Sequence, residues 1–225
     1  MILIVETSSN ICSIAVCQLD GKLLAEESGL QKNSHAEALP QMIKKWMFDY
    51  FNAADFNAVC ICKGPGSYTG LRIGTSIAKG LCYAKQIPLI SCNSFYGMAV
   101  GAKKEFPDAE VFISMLDARR EDVYAEVFNH NLEIEKGIQA VTLTSEIFKQ
   151  FHKNEVVVCG NSNEKWNLLT QGFSHIQHFN TEPKATFSIQ ETCLKYSQQD
   201  FEDVAYFEPF YLKEFVPGIP KKTIL

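Results

Sequence analysis

Arginine is scarce in this sequence of 225 residues, which contains three arginines against eighteen lysines. The net charge is −5, and this argues against stand-alone nucleic-acid binding, which relies on neutralising phosphates. The three arginines are Arg72, Arg119 and Arg120. A general preference for lysine explains the scarcity, but it does not explain why all three lie in two short segments. Because only arginine offers a planar, bidentate hydrogen-bonding group, both segments are candidates for function.

The sequence also lacks a long apolar run. No segment approaches the roughly 18 apolar residues that a membrane-spanning helix needs. The first residues, MILIVETSS, have no basic stretch, and their apolar part is too short for a secretory signal. These absences predict a cytoplasmic protein with no membrane association.

Metal-binding patterns are absent as well. The eight cysteines form no CxxC pair, and most of them lie inside apolar runs. This placement is typical of small buried hydrophobic residues in a reducing compartment rather than of zinc ligands or disulfides. The five histidines form no HxxxH or HExxH pair. We therefore predict no metal site.

The order of the predicted elements repeats once along the chain. Three strands in a meander open the first half, and a helix over Ser34–Asn52 follows, with Ser34 and Glu37 forming a capping box. A strand at Ala58–Cys62, a helix at Leu71–Lys85, a short strand and a helix from Ser94 come next. The second half repeats meander, helix, strand and helix. This order predicts an α/β fold of the actin-like ATPase type with two β-meander/α subdomains.

We place the subdomain boundary at the PDAE sequence that begins at Pro107. The predicted subdomains are therefore residues 1–106 and residues 107–225. The tail from about residue 204, which contains three prolines, is expected to be extended and to pack back on the first subdomain.

The string GPGSYTGLRIG, residues 64–74, joins a predicted strand to a predicted helix. Its glycines permit a sharp turn, and a helix N-terminus attracts anions. The candidate anion-binding residues are Gly66, Ser67, Thr69 and Arg72. The string is neither a P-loop nor a dinucleotide fingerprint. A tight strand-to-helix junction without any ligand accounts for the same residues, and turn chemistry alone leaves both interpretations open.

The first predicted helix has an unusually wide apolar face. A helix that lies on a single core needs an apolar stripe only slightly wider than about 100°. This helix exceeds that width, which indicates either a second apolar contact with a partner or burial between two layers of the same chain. The residues of the face are Leu39, Met42, Ile43, Trp46, Met47, Tyr50 and Phe51, and all of them except Phe51 are assigned to the candidate partner surface.

Five strings place this sequence close to a known family. They are ILIVETSSNICSIAV, SHAEALP, GPGSYTGLRIG, DARREDVYAEVF and PFYLKE, at residues 2–16, 34–40, 64–74, 117–128 and 209–214. In this order they resemble the bacterial TsaB (YeaZ) family over essentially the full length. The resemblance implies an actin-like (ribonuclease H-like) fold with a degenerate nucleotide site. It also implies a supporting role in forming threonylcarbamoyladenosine next to the anticodon of tRNAs that read ANN codons.

The resemblance also implies partners. A TsaD-type catalytic subunit would bind the first helix together with Ile73 and Ile77 of the helix after the glycine turn. A TsaE-type ATPase would regulate the assembly, and tRNA would be contacted through the complex. ATP and metal are expected on the partner subunits and not on this chain alone, which is expected to form a homodimer by itself.

The family strings also contain His35, Asp117 and Arg119, whose role the resemblance leaves open. We interpret His35 as a residue that starts a helix rather than as a ligand. Asp117 and Arg119, with Glu121, have a simpler alternative: a charged hairpin turn with a local ion pair, which contributes little to stability.

The resemblance further indicates that the chain is not an enzyme. The catalytic relative carries two metal-binding histidines where this sequence has Ser94 and Met98, and neither of these replaces such a ligand. The first phosphate loop is Glu6-Thr7-Ser8-Ser9 and lacks the glycine that lets a phosphate approach the backbone. The alternatives are a metal-dependent glycoprotease-like peptidase and an independent ATP-dependent transferase. A sensor of small anions at the glycine turn is a third alternative.

Overall fold

A computed structural model describes residues 1–30, 35–118, 121–161 and 164–212. Its first sheet has five strands in the order β3-β2-β1-β4-β5, with β1 antiparallel to β2 and parallel to β4. Alternate residues of β1 enter two different cores, one on each face of the sheet. The strands are β1 Ile2–Glu6, β2 Ile11–Cys17, β3 Leu23–Leu30, β4 Ala58–Cys62 and β5 Leu89–Cys92.

The second sheet has the same arrangement, in the order β8-β7-β6-β9-β10. Its meander pairs antiparallel, and β6 pairs parallel with β9, as β1 does with β4. The strands are β6 Val111–Asp117, β7 Asp122–Asn129, β8 Ile134–Thr142, β9 Val156–Gly160 and β10 Ile176–Asn180. The predicted fold class, with its repeated meander-and-helix unit, is confirmed.

The helices connect these strands close to the predicted positions. They are α1 His35–Ile43, α2 Tyr68–Lys85, α3 Ser94–Glu105, α4 Glu146–Lys149, α5 Glu164–Leu169 and α6 Ile189–Gln198. Each of the longer ones starts after a turn or capping residue that the sequence makes visible, such as Ser67 before α2 and Asn93 before α3. No helix of the described ranges is long and apolar enough to cross a membrane.

The first predicted helix differs from expectation in its second half. Residues Lys44–Tyr50 form a π-helix, and the N–H of Phe51 donates to the carbonyl of Trp46, five residues earlier. The side chains of such a segment do not repeat every 3.6 residues. When the 3.6-residue period is applied to it, the apolar face comes out wider than it is in the structure. The predicted cap Ser34 lies outside the described residues.

The C-terminal part of the chain returns to the first sheet. Ala185 and Ile189 belong to the core on one face of that sheet, and Phe207 belongs to the core on the other face, under α1 and α2. The N–H of Glu202 donates to the carbonyl of Leu89 at the edge of β5. The division of the chain at residues 106 and 107 stays a prediction.

The cysteines are small core residues, as predicted. Seven of them are buried and Cys193 is partly exposed. Burial raises the pKa of the Cys12 and Cys17 thiols to about 12, so both stay protonated at neutral pH.

Candidate functional site

Glu6 ends β1 and begins the loop Glu6-Thr7-Ser8-Ser9, which the family resemblance predicts to be the counterpart of the first phosphate loop. The side chain is buried, and one carboxylate oxygen accepts the backbone N–H of Ser8 at 2.6 Å. The other accepts the hydroxyl of Ser94 at 2.7 Å. Burial raises the pKa of Glu6, and the two hydrogen bonds oppose that shift. Both oxygens are therefore bonded within the chain itself.

The string GPGSYTGLRIG at residues 64–74, which contains the glycine turn, packs directly onto the loop that follows Glu6. A Cβ atom at Gly66 would lie 2.0 Å from the carbonyl oxygen of Ser8, and one at Gly70 would lie 2.1 Å from the carbonyl oxygen of Thr7. At Gly74 the nearest atom would be the hydroxyl of Thr7, at 2.3 Å. These glycines let α2 approach the loop closely, and the space beside them is occupied by the chain.

The four candidate anion-binding residues divide into two pairs. Gly66 packs on Ser8, and Ser67 caps α2 by accepting the N–H of Gly70 at 3.2 Å. Thr69 and Arg72 are exposed on the first turns of α2. Of the two interpretations of this string, the packing favours the tight strand-to-helix junction. Anion binding stays a prediction.

Asn93 and Glu126 connect the two sheets. The Asn93 side-chain carbonyl accepts the N–H of Phe95 at 2.8 Å and so caps α3, while its amide donates to Glu126 on β7 at 2.8 Å. Burial raises the pKa of Glu126. Met98, which stands at one of the positions of the relative's histidines, is fully buried in the core around α3. Glu126 was missed by the sequence analysis, since nothing local marks it as the partner of Asn93.

The absence of a bound nucleotide and of a catalytic metal stays a prediction. Gly66, Gly70 and Gly74 are in contact with Thr7 and Ser8. Among the residues that the structure describes, no group of three or more histidine, cysteine, aspartate or glutamate side chains could hold a metal ion.

Four of the eight residues of the predicted partner surface lie in the core of this chain instead, which corrects the prediction for them. Leu39, Met42, Ile43 and Met47 are buried in the core between α1 and the first sheet, where they pack with strand residues of this chain. The interpretation that the helix lies against its own core is therefore right for these four. The predicted contact with a partner rests on Trp46, Tyr50, Ile73 and Ile77, which are half-buried or exposed.

Trp46 is held in place by an acidic residue of β3. One oxygen of Glu27 accepts both the indole N–H of Trp46 at 2.7 Å and the ammonium group of Lys45 at 2.8 Å. These bonds lower the pKa of Glu27. The Trp46 ring lies 4.9 Å from that of Tyr50, so Glu27 orients an aromatic pair at the surface.

The exposed face of α2 carries small residues that the sequence analysis did not select. Ser76, Gly80 and Ala84 follow one another at a spacing of four and are all exposed. A Cβ atom added at Gly80 would meet nothing within 4 Å. Small residues at this spacing let a second helix approach closely. The spacing is the sequence signal by which this face could have been found.

The remaining family residues do not meet at one place. His35 begins α1 and is half-buried, as expected of a helix-start residue, whereas Asp117 ends β6 and is exposed. Arg119 lies outside the described residues.

Comparison with known proteins places the chain in a family. A family model described as TsaD: tRNA N6-adenosine threonylcarbamoyltransferase matches residues 22–206. The tRNA threonylcarbamoyladenosine biosynthesis protein TsaB of Escherichia coli is 26% identical, over 96% of this chain and 95% of its own length. The TsaB of Haemophilus influenzae is 24% identical over similar shares of both chains, 96% and 94%.

The solved structure of YeaZ from Pseudomonas aeruginosa has the same fold, with a TM-score of 0.76 over 94% of this chain and 99% of that one, at 19% identity. The family model and the TsaB relatives therefore agree on the family, and the solved structure agrees on the fold. The chain belongs to the tRNA N6-adenosine threonylcarbamoyltransferase family, within its TsaB (YeaZ) branch.

Proposed function

We propose that this chain takes part in threonylcarbamoyladenosine biosynthesis on tRNA as the non-catalytic partner of a TsaD-type catalytic subunit. The relatives that it matches nearly end to end are named for that pathway. The observation that carries the non-catalytic part is the close internal packing of the loop that follows Glu6. Glu6 is bonded to Ser8 and Ser94, Gly66 packs on Ser8, and Gly70 and Gly74 of α2 pack on Thr7.

The outer face of α2 supports the choice of a helical partner. Ile73 and Ile77 flank the small residues at 76, 80 and 84, and Trp46 and Tyr50 extend the apolar surface onto the π-helical segment. A helix pair from a related subunit, packed against this surface, would form a four-helix bundle. We expect the same surface to form a homodimer when the partner is absent.

The other members of the proposed assembly follow from the family. A TsaE-type ATPase would act on the complex, and tRNA would be bound by the complex rather than by this acidic chain alone. ATP and metal would be held by the partner subunits.

A test of this function measures both the modified adenosine in tRNA and the binding of this chain to the TsaD-type subunit. Cells that lack the chain, complemented with the chain and its cognate TsaD-type subunit, should regain threonylcarbamoyladenosine in tRNA. Gly80→Leu should weaken binding to that subunit at least tenfold, about 1.4 kcal/mol, because the side chain separates the helices. Gly137→Leu is the matched control, since that glycine of β8 is also exposed with open space around it. Equal affinity of the Gly80 and Gly137 variants would contradict the helical interface.

The enzymatic alternatives are tested on the purified chain. Metal analysis would reveal stoichiometric metal if the chain were a metallopeptidase. Calorimetry would reveal micromolar ATP binding if it were an independent transferase. Either result would overturn the non-catalytic assignment while leaving the biosynthetic role intact.

A further inference from the structure

Three polar residues meet where α3 begins, at a junction between the two sheets. The side-chain amide of Asn93 donates to Glu126 of β7 at 2.8 Å, and Glu126 is only 2% exposed. The backbone N–H of Asn93 donates to Glu191, in the first turn of α6. Asn93 therefore holds one carboxylate from the second sheet and one from the helix that packs on β5 of the first sheet.

The residue after Glu191 anchors this part of α6 beside Asn93. The hydroxyl of Thr192 donates to the thiol of Cys60 at 3.2 Å. It also lies 3.4 Å from the thiol of Cys92, the residue that directly precedes Asn93. These contacts are fully buried, so the position of Glu191 at the junction is fixed by the core of the first sheet.

The two carboxylates differ in their surroundings. The ammonium group of Lys195 lies 3.7 Å from Glu191, and Lys63 also attracts the Glu191 charge. Within the described ranges, the groups that act on Glu126 are the neutral amide of Asn93 and the carboxylate of Glu191, which repels a second negative charge. Glu191 is thus supported as an anion, whereas Glu126 is supported as a neutral acid.

The other groups that face Glu191 do not remove this difference. They are the phenol of Tyr96 on α3 and the thiol of Cys92 on β5, and neither is a cation. The Oε2 atom of Glu191 is buried and has no hydrogen-bond partner among the described residues. A buried carboxylate in this state tolerates a further negative charge nearby poorly.

We propose that Glu126 is a proton-operated latch between the second sheet and α6. With its proton, Glu126 accepts the amide of Asn93 without opposing Glu191, and the junction is closed. Loss of that proton places two negative charges on opposite sides of Asn93 and loosens the junction. Glu191, with Lys195 beside it, keeps its charge in both states.

The titration of Glu126 sets the direction of the switch. Burial raises the pKa of Glu126 above 4.5, and the charge of Glu191 adds to that shift, whereas the Asn93 hydrogen bond opposes it. Burial also raises the pKa of Glu191, but Lys195 opposes that shift, so Glu126 is the second of the two to ionise. The latch is therefore closed at low pH and loosens as the pH rises through the folded pKa of Glu126.

The first turn of α3 carries such a change to both sheets. Next to Asn93, the hydroxyl of Ser94 donates to Glu6 of β1 at 2.7 Å. On the other side, the hydroxyl of Ser114 on β6 donates to the carbonyl of Phe95 at 2.7 Å. Loosening at Glu126 leaves fewer bonds between this turn and the second sheet, so the two halves are held less tightly.

Hydrogen exchange of the full chain, read by mass spectrometry, tests the latch. After correction for the intrinsic effect of pH, protection of β7 and of the first turn of α3 should fall about tenfold or more between pH 5 and pH 8. Glu126→Gln keeps an acceptor for Asn93 and carries no charge, so its protection should not change with pH. Glu135→Gln, which removes an exposed carboxylate of β8, is the matched control and should behave like the wild type.

A second variant tests the coupling between the two carboxylates. Glu191→Gln removes the negative charge that faces Glu126. The titration midpoint of the Glu126 carboxyl carbon, followed by NMR and assigned through the backbone of β7, should fall by about one pH unit in that variant. A Glu126 that is raised by burial alone would keep its midpoint. Thermal melts establish that each variant is folded.

Either of two results would overturn the inference. If protection changes with pH equally in the wild type and in Glu126→Gln, ionisation of Glu126 does not loosen the junction. If the midpoint of Glu126 is the same in the wild type and in Glu191→Gln, the two carboxylates do not act on each other. The second measurement needs no substitution at Glu126, so it decides the matter even if Glu126→Gln does not fold.

Discussion

At the scale of single residues, Glu6 is a buried carboxylate whose hydrogen-bond partners lie within the chain. The family resemblance places it at the start of the counterpart of the first phosphate loop. Here it accepts one backbone N–H and one hydroxyl and is shielded from water. Burial of the carboxylate away from water favours its protonated form and outweighs the two hydrogen bonds, which is why the pKa of Glu6 is raised.

The raised pKa of Glu6 predicts a pH dependence of stability. The folded chain holds the Glu6 proton more tightly than the unfolded chain, in which the pKa is near 4.5. This contribution is present in full below pH 4.5 and is lost as the pH rises through the folded pKa. Glu6→Gln does not titrate, so the melting temperature of the wild type should fall relative to that variant between pH 5 and pH 8.

The control for this measurement is Glu37→Gln, which removes one exposed carboxylate of α1. Its melting temperature should follow that of the wild type across the same pH range. A constant difference between wild type and Glu6→Gln at every pH would contradict the assignment of the raised pKa to Glu6.

At the scale of elements, α2 contains two kinds of glycine. Gly70 lies against the Thr7 carbonyl, whereas Gly80 faces open space. The first is required by packing inside the chain. The second is costly for the helix alone, since glycine is a poor helix former, and the contact outside the chain that we propose would account for it.

Alanine at the two positions should therefore act in opposite directions. Gly70→Ala places Cβ about 2 Å from a backbone oxygen and should lower the free energy of unfolding by about 2 kcal/mol or more. Gly80→Ala should raise it by about 1 kcal/mol through helix propensity. Urea denaturation of both variants, followed by circular dichroism, measures the two changes. Destabilisation by Gly80→Ala would show that this glycine has an internal role.

The elements were predictable from sequence wherever local chemistry marks their ends. Glycine, proline and capping residues bound the strands of both meanders and the helices α2, α3 and α6, and those predictions hold within a few residues. The π-helical segment at Lys44–Tyr50 was not predictable by a 3.6-residue period. Three of the four buried residues that were assigned to a partner, Leu39, Met42 and Ile43, lie in the regular α-helix before that segment, so the assignment arose because a wide apolar face allows two interpretations.

For the candidate site, it was possible to predict which ligand-binding residues are missing, but not which contacts within the chain take their place. The family resemblance implies that Ser94 and Met98 stand at the positions of histidines, and the sequence shows that the Glu6 loop lacks glycine. It does not show that Ser94 donates to Glu6, 88 residues away, or that Asn93 donates to Glu126 on the second sheet. These pairs depend on how the sheets meet, which no local pattern encodes.

At the scale of the whole molecule, the first sheet is completed by the end of the chain. One face is covered by α1 and α2 and the other by residues from Ala185 and Ile189 onward. Strand residues such as Ile2, Ile4 and Ile90 are fully buried only because the C-terminal segment covers them. The first sheet is thus covered in part by residues that lie beyond the boundary expected at residue 106, and that boundary stays a prediction.

A fragment experiment follows from this arrangement. Residues 1–106 alone should expose one apolar face of the first sheet, bind a hydrophobic dye and melt without a cooperative transition. The same residues joined through a flexible linker to residues 185–212 should melt cooperatively and bind less dye, because Ala185, Ile189 and Phe207 refill both cores. The face of α3 that packs on the second sheet is exposed in both fragments, so it does not affect the comparison. If the shorter fragment melts cooperatively at the same midpoint as the longer one, the first 106 residues are a self-sufficient domain and the C-terminal segment is an accessory to it.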